Sequence, residues 1–441
     1  MLQELLTVTH SIGDERDLAG RILGGEIVVL RHGLQQLDVF DTIVGRTLDG
    51  IRSSAGRDIA QKVEHHGVER IHEWIDASEL PALTDAVYAS LTPLTRQVLN
   101  QIVPRVFPEC GTYYYERTPS VRFHIPYDLT VNHQRAFNKF AGAHGQGKIQ
   151  AHGPHRDPWV DCPDNAINVW SAVGPVQRGN GLTVFADDYR TPFAFRGGYI
   201  DGRARLHRPL DFELAPGDVV LFHSDHLHGS ELNRTTQTRY VVSFRVTFDK
   251  PHYPFGHYHS YLHGGLAGGP FYPLASIPQN LQLSFLKYQF RRLRQKLGGG
   301  PKMSGTDRGM ERRPDPQPRP EQGASIELSD LPVGSVRAVS QKACVARLEE
   351  NEFMAVSRRC PHMGGDLGSG WTDSNQIVCP LHNLRFDPQT GASSCRSLPV
   401  LQRYVCERRG NRIVVRSNDT DMQQAGDRGL ADRIDSQPLP S

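Results

Sequence analysis

The hydrophobic pattern changes period along the chain, and the changes mark out its organisation. At residues 21–33, the segment GGEIVVLRHG sets a β-rich apolar run between glycines, the signature of a first short strand. From Ala82 to Val106 the residues Leu83, Val87, Leu91, Leu94, Val98 and Ile102 recur every three or four positions, which predicts a helix with one buried face. Val131 to Ala143 reads as a further helical segment. From Lys148 the texture becomes short β-branched or aromatic runs separated by Gly, Pro, Asp and Asn: IQAHGPH, AINVWSAV, LTVFA, DFELA, DVVLFH and RYVVSFRVTF. Regular short strands with polar turns predict a sandwich or jelly roll, with the helices wrapped outside its sheet. Pro216-Gly217-Asp218 before VVLFH is a strong turn signal.

Beyond these strands, residues 251–278 are rich in Tyr, His, Gly and Pro without periodicity and read as a long loop, of the kind that serves as a lid or binding surface. Leu281 to Leu297 reads as a helix with Leu283, Leu286, Phe290, Leu293 and Leu297 on one side; Arg291, Arg292, Arg294 and Lys296 near its end suit the helix dipole. Residues 298–325 have almost nothing to bury and are expected to be a flexible linker, and 417–441 a disordered tail. Between them, 326–416 stands as a second, small domain. The expected division is therefore a first domain at 1–297, mainly β with flanking helices, and a second at 326–416.

Composition narrows the function classes. Lys plus Arg number 50 against 48 Asp plus Glu, so net charge carries no nucleic-acid or membrane footprint. No run approaches the ~18 apolar residues of a membrane span, and the acidic N-terminus lacks a secretion-signal pattern. Of seven cysteines, five (Cys110, Cys162, Cys344, Cys395 and Cys406) form a scattered odd set that suits free thiols in a reducing cytoplasm.

The most specific chemistry is Cys360-Pro361-His362, sixteen residues, then Cys379-Pro380-Leu381-His382. A two-iron cluster with Cys ligands on one iron and His on the other needs this alternation on two loops. A structural zinc site is the rival use of Cys and His at short spacing. Zinc does not require the glycines 364, 365, 368 and 370 after the first pair, nor Phe386, Asp387 and Gly391 after the second. With these, residues 326–416 resemble a Rieske-type ferredoxin, which implies a small all-β domain and a 2Fe–2S cluster on Cys360, His362, Cys379 and His382. Rieske proteins of the respiratory type join an extra Cys in each loop as a disulfide; here those positions are Gly365 and Leu381. The resemblance is therefore to soluble ferredoxins that feed oxygenases, and implies the low end of the Rieske potential range, roughly −150 mV upward. A second departure is Asn383, where such ferredoxins usually have Gly.

His155-Arg156-Asp157 means little alone, and His223-Ser224-Asp225 repeats the H-x-D spacing. Only the first has fitting company: His228, then ten residues, then Arg239. Two His and a carboxylate form the facial triad of non-haem Fe(II) sites, and an Arg one hairpin later can grip a carboxylate held there. With GNGLTVF, GDVVLFH, HGS and NRTT around them, residues 21–250 resemble the phytanoyl-CoA dioxygenase-like branch of the 2-oxoglutarate oxygenases, most strongly from 148 onward. That resemblance implies a double-stranded β-helix (jelly roll) fold, His155, Asp157 and His228 as iron ligands, and Arg239 as the clamp for 2-oxoglutarate. Halogenating relatives replace the carboxylate with a small residue, so Asp157 favours hydroxylation, desaturation or ring closure. His152, His124, Arg122 and Trp170 are candidate pocket residues, with ordinary strand positions as the plain alternative.

Electron counting then assigns the two iron centres. Reducing O2 fully takes four electrons; 2-oxoglutarate supplies two and the substrate C–H bond two. Coupled turnover needs no external reductant, so the expected role of the Rieske domain is to keep or restore Fe(II), itself recharged by a separate reductase. A second reading drops 2-oxoglutarate and feeds the mononuclear iron directly from the cluster. A third is a non-enzymatic electron carrier or redox sensor. The substrate is expected to be a small molecule whose identity the sequence does not give.

Overall fold

Both faces of the larger sheet are buried, which is why its strands read as unbroken apolar runs rather than as alternation. The computed structural model describes residues 6–12, 16–133, 137, 151–160, 162–196, 198–200, 204–254, 261–264, 304–306, 324–362 and 364–416. The expected helix at 281–297 and the tail at 417–441 lie outside the described residues, as does most of the expected loop beyond residue 254 and most of the expected linker. Two units are distinct, residues 1–310 and 311–441.

The first unit contains strands β1 (Leu6–Thr9), β2 (Ile27–Leu30), β3 (Tyr113–Glu116), β4 (Ser120–His124), β5 (Ile167–Ala172), β6 (Leu182–Phe185), β7 (Ala194–Arg196), β8 (Tyr199–Ile200), β9 (Leu210–Asp211), β10 (Val219–His223), β11 (Leu227–Ser230), β12 (Arg239–Thr247), β13 (Tyr261–Gly264) and β14 (Ser304–Thr306). The main sheet runs β1-β2-β10-β5-β12-β3-β13, with β4 also on β12, and a smaller sheet runs β11-β6-β9. Alternate residues of each main strand serve two cores. Val28, Val169, Val219, Leu221, Tyr240, Val242 and Phe244 pack with the helices. Ile27, Val29, Trp170, Val220, Phe222 and Val241 pack with Leu182 and Val184 of the smaller sheet. That period of two is the strand geometry itself. It turns Arg239, Val241, Ser243 and Arg245 of β12 toward the smaller sheet. The Pro216-Gly217-Asp218 signal is a real turn: Gly217 takes φ +94°, and Asp218 binds Arg31 at 2.6 Å and the Ala215 N–H at 3.0 Å.

Three expectations need correction. The helix expected from Ala82 to Val106 is two, Leu80–Leu91 and Thr95–Val106, separated by a 3-10 turn at Thr92–Leu94. Pro93 lacks the N–H that a continuous α-ladder needs there. The strand expected at 149–155 is absent from the described residues 151–155, where Pro154 cannot donate to a ladder, and only an isolated bridge from His155 to His228 forms. Ser304–Thr306, expected in a linker, pair with β7, whose edge offers unpaired backbone groups. Of the expected helical segment 131–143, a 3-10 turn at Val131–His133 is described and the rest, apart from buried Phe137, lies outside the described residues.

In the second unit β15 (Ala324–Glu327), β16 (Val336–Ala338), β17 (Ala343–Glu349), β18 (Glu352–Ser357), β19 (Trp371–Asp373), β20 (Gln376–Val378), β21 (Arg385–Phe386), β22 (Arg403–Arg409) and β23 (Arg412–Arg416) form two sheets. Their orders are β15-β23-β22-β18-β17-β16 and β19-β20-β21. Leu331, Val345, Ala355, Ile413 and Val415 fill a small core. The Cys360 loop follows β18, and the Cys379 loop joins β20 to β21.

Candidate iron sites

Two backbone hydrogen bonds fix one histidine against another. The His155 N–H donates to His228 O at 2.9 Å and the His228 N–H to His155 O at 3.0 Å, leaving the ring centroids 4.5 Å apart. Gly229 permits this approach: a Cβ there would stand 2.9 Å from His152 O. Asp157 opens the turn Asp157–Val160, its N–H on Ser224 O at 3.2 Å. The ligand atoms of His155, Asp157 and His228 all lie within 4.8 Å of one another, and all three residues are buried.

Each imidazole is pinned through Nδ1, to Gly153 O at 2.9 Å for His155 and to His226 O at 2.9 Å for His228. A carbonyl only accepts, so Nδ1 carries the proton and Nε2 keeps its lone pair for a metal. Burial, and then the neighbouring His228, pull His155 down to about 3; burial also lowers His228. Both rings are neutral at neutral pH. For Asp157 burial alone would raise the pKa, but Arg245, followed by the two histidines, holds the carboxyl well below its usual range. Two neutral imidazoles and one ionised carboxylate fit Fe(II) with coordination positions left open.

Behind Asp157 lies a set of partners the motif did not reveal. Arg245 Nε donates to Asp157 Oδ2 at 3.1 Å and Nη2 to Oδ1 at 3.0 Å. Asn168 Nδ2 donates to Oδ2 at 2.7 Å, and Arg245 Nη1 reaches Glu116 Oε2 at 2.8 Å. Arg245 was available as a signal, being the only charge inside the apolar run YVVSFRVTF.

Arg239 opens β12 on the same face as Arg245 and is 1 % exposed. Its Nη1 donates to Asn180 O and Gly181 O, both at 2.9 Å, its Nη2 to Ser230 Oγ at 3.2 Å, and its guanidinium lies 5.6 Å from the Trp170 ring centre. Burial lowers its pKa to about 9, with Arg122 adding to the effect. His155 and His228 open into a cleft lined also by Arg122, His152, Trp170, Ser230, Ser243 and Arg245. His124, the remaining candidate, is buried opposite Arg239 in the β4–β12 register and does not line this cleft. The rival pair is used differently: His223 Nδ1 meets the Tyr189 hydroxyl at 2.9 Å and Asp225 faces Arg190 at 3.6 Å.

In the second unit the loops pair like with like. The Cys379 thiol is hydrogen-bonded to Cys360, which together with burial pushes its pKa well above the usual thiol value. The His362 and His382 rings meet edge to face at 4.8 Å, and burial lowers His362 to about 4. Two sulfurs together and two imidazoles together match a two-iron cluster, one iron to each pair. The Cys360 N–H donates to Gly365 O and the Cys379 N–H to Leu384 O, both at 2.9 Å. Asn383 takes φ +51°, a left-handed conformation that Asn tolerates better than most residues, which explains how it stands where glycine was expected. Asp366 receives Arg358 Nε at 2.8 Å and the Gly368 N–H at 2.9 Å, tying the glycine-rich loop down.

Comparison with known proteins matches a family to part of each unit. Residues 45–241 match the phytanoyl-CoA dioxygenase (PhyH) family and residues 323–408 the Rieske [2Fe-2S] domain. The chain is a PhyH–Rieske fusion. The two domains imply its cofactors: a 2Fe–2S cluster, Fe(II) and 2-oxoglutarate. The ferredoxin component of the naphthalene 1,2-dioxygenase system of Pseudomonas aeruginosa is 30% identical over 96 residues, 21% of this chain and 90% of the relative. Cholesterol 7-desaturase of Bombyx mori is 39% identical over 80 residues, 17% of each chain. The fusion protein thus spans about a sixth of that desaturase, and 20% of the oxygenase component of 3-ketosteroid-9-alpha-monooxygenase from Rhodococcus rhodochrous, to which it is 31% identical over 81 residues. Among solved structures, the ferredoxin of carbazole 1,9a-dioxygenase from Nocardioides aromaticivorans is 27% identical, with 22% of this chain and 100% of that chain covered and a TM-score of 0.20. No helix among the described residues is long and apolar enough to cross a membrane.

Proposed function

We propose that the fusion protein is a non-haem iron oxygenase that hydroxylates, desaturates or ring-closes a small molecule with O2 and 2-oxoglutarate. Its Rieske domain keeps or restores Fe(II) with electrons from a separate reductase. The observation that carries this reading is the gathering of the ligand atoms of His155, Asp157 and His228 within 4.8 Å of one another, with His155 and His228 on a cleft whose lining residues Ser230 and Trp170 both contact Arg239. Iron bound there supplies oxygen activation, and the protein supplies orientation.

The residues divide that work. The carbonyls of Gly153 and His226 hold the two rings as ligands, Asn168 and Arg245 hold Asp157 ionised, and Arg239 receives the far carboxylate of 2-oxoglutarate. Three contacts already fix Arg239, so little rotamer entropy remains to be lost when a carboxylate arrives. Trp170, stacked on that guanidinium, and Ser230 complete the cosubstrate end of the cleft. Four electrons reach O2 from cosubstrate and substrate, so the cluster on Cys360, His362, Cys379 and His382 serves turnovers in which substrate is not oxidised and the iron is left as Fe(III). The five cysteines outside the cluster, none of them in a disulfide, suit a reducing cytoplasm.

The test follows succinate formation by the full chain with Fe(II), O2 and 2-oxoglutarate. Activity should decay without a reductant and return when a ferredoxin reductase and its nicotinamide are added. Cys360→Ser should keep the first turnovers and lose the return. Succinate that never forms, or a return that survives in Cys360→Ser, contradicts the proposal.

A further inference from the structure

We infer that Arg245 sets the reduction potential of the mononuclear iron through Asp157, biasing the site toward Fe(II). The inference rests on the reading above that iron sits on His155, Asp157 and His228, and it concerns a residue outside that triad.

Alternation along β12 places Arg245 on the inner face, and the strand register sets it opposite Asn168. Asn168 alone, at 2.7 Å, is enough to orient Asp157 Oδ2 with a neutral donor. Arg245 does something a neutral donor cannot. Its fork spans both oxygens of the ligand carboxylate, at 3.0 and 3.1 Å, in a place where Asp157 is 0% exposed. Screening by water is weak there, so a full positive charge acts strongly over that distance. It draws electron density from the carboxylate that would donate to the metal, and it repels the extra charge of Fe(III) relative to Fe(II).

Glu116 opposes this effect. Its carboxylate accepts from Arg245 Nη1 at 2.8 Å and shares the cation from the side away from Asp157. Arg245 and Glu116 therefore act as a matched pair of opposite sign on one ligand oxygen set. The step they govern is the addition of one electron from a one-electron donor, a ferredoxin-type cluster, to Fe(III), giving Fe(II) and an oxidised cluster. A cation on the ligand makes that step more favourable, which suits an oxygenase that carries its own ferredoxin domain. Arg245 lines the cleft, but its action on the iron runs through Asp157, which makes it a positioning residue for that metal.

The test is a redox titration of the iron-loaded full chain, following the high-spin Fe(III) electron paramagnetic resonance signal, which is distinct from that of the reduced cluster. Arg245→Gln should lower the midpoint, Arg245→Lys should fall between it and the parent, and Glu116→Gln should raise the midpoint. A merely structural ion pair would give shifts of one sign in both Gln variants or none, and either result overturns the inference. If Arg245→Gln does not fold, Glu116→Gln decides alone, and a midpoint that stays or falls overturns it. An Fe(III) signal that Asp157→Ala leaves intact would instead remove the iron-site reading, and the inference with it.

Discussion

A Cβ built on Gly365 stands 3.0 Å from Leu381 Cδ1 and 2.9 Å from Cys379 Sγ. The two cluster loops thus touch where a disulfide would join them in a respiratory-type Rieske protein, with Leu381 packed against a bare glycine in its place. Gly365→Ala should displace a ligand sulfur and lower the cluster content read from visible absorbance and the reduced-cluster resonance signal. Adding Leu381→Ala relieves one contact and leaves the sulfur clash, so rescue should be incomplete. Full cluster content in Gly365→Ala would show that the loop yields more easily than its packing implies.

Arg239 is predicted to act on cosubstrate binding more than on chemistry. Arg239→Lys keeps the charge and loses the fork that bonds Asn180 O, Gly181 O and Ser230 Oγ. Loss of one charge-assisted hydrogen bond costs roughly 1.5–3 kcal/mol. The KM for 2-oxoglutarate should therefore rise about ten- to a hundredfold with a smaller change in kcat. An unchanged KM would place the cosubstrate carboxylate elsewhere.

Acid sensitivity of the metal-free protein follows from its buried histidines. Burial pulls His155 and His226 from 6.5 to about 3 and His223 to about 4. Unfolded, these rings take up protons below about 6.5; folded, they stay neutral until about 3 to 4. Their contribution to stability is complete above about 6.5 and is lost as pH falls through that window, because the unfolded state binds more protons there. The urea midpoint should drop steadily between pH 7 and 4.5, and anaerobic Fe(II), which binds the rings that the folded state keeps neutral throughout that window, should raise the midpoint without making the fall less steep. A flat profile would mean that these rings are not buried as described.

What the sequence made legible was chemistry confined to short spacing. His155-Arg156-Asp157, His228 and Arg239 stand out because each sits in a local pattern of residues, and so do the two C-x-H and C-x-x-H loops. The period of two along β12 likewise separates Val242 from Val241, because neighbours on a strand face opposite ways. Arg245 is visible as a lone charge in an apolar run, but its meeting with Asn168 and Glu116 is not, because that depends on the register of β12 against β5 and on the position of β3, which no short window contains. The break at Thr92–Leu94 was obscured for another reason: the apolar spacing continues across it, and Pro93 stops the backbone ladder without disturbing the pattern. At Asn383 a residue that looked out of place turned out to adopt the conformation glycine would have supplied.

The central claim is that His155, Asp157 and His228 hold an iron that 2-oxoglutarate reaches with its far carboxylate on Arg239. Adding 2-oxoglutarate to anaerobic, Fe(II)-loaded full chain tests it most directly. A metal-to-ligand absorbance band that saturates at one 2-oxoglutarate per mononuclear iron and is absent in Asp157→Ala is the predicted result; no band in the parent, at any concentration, would contradict it.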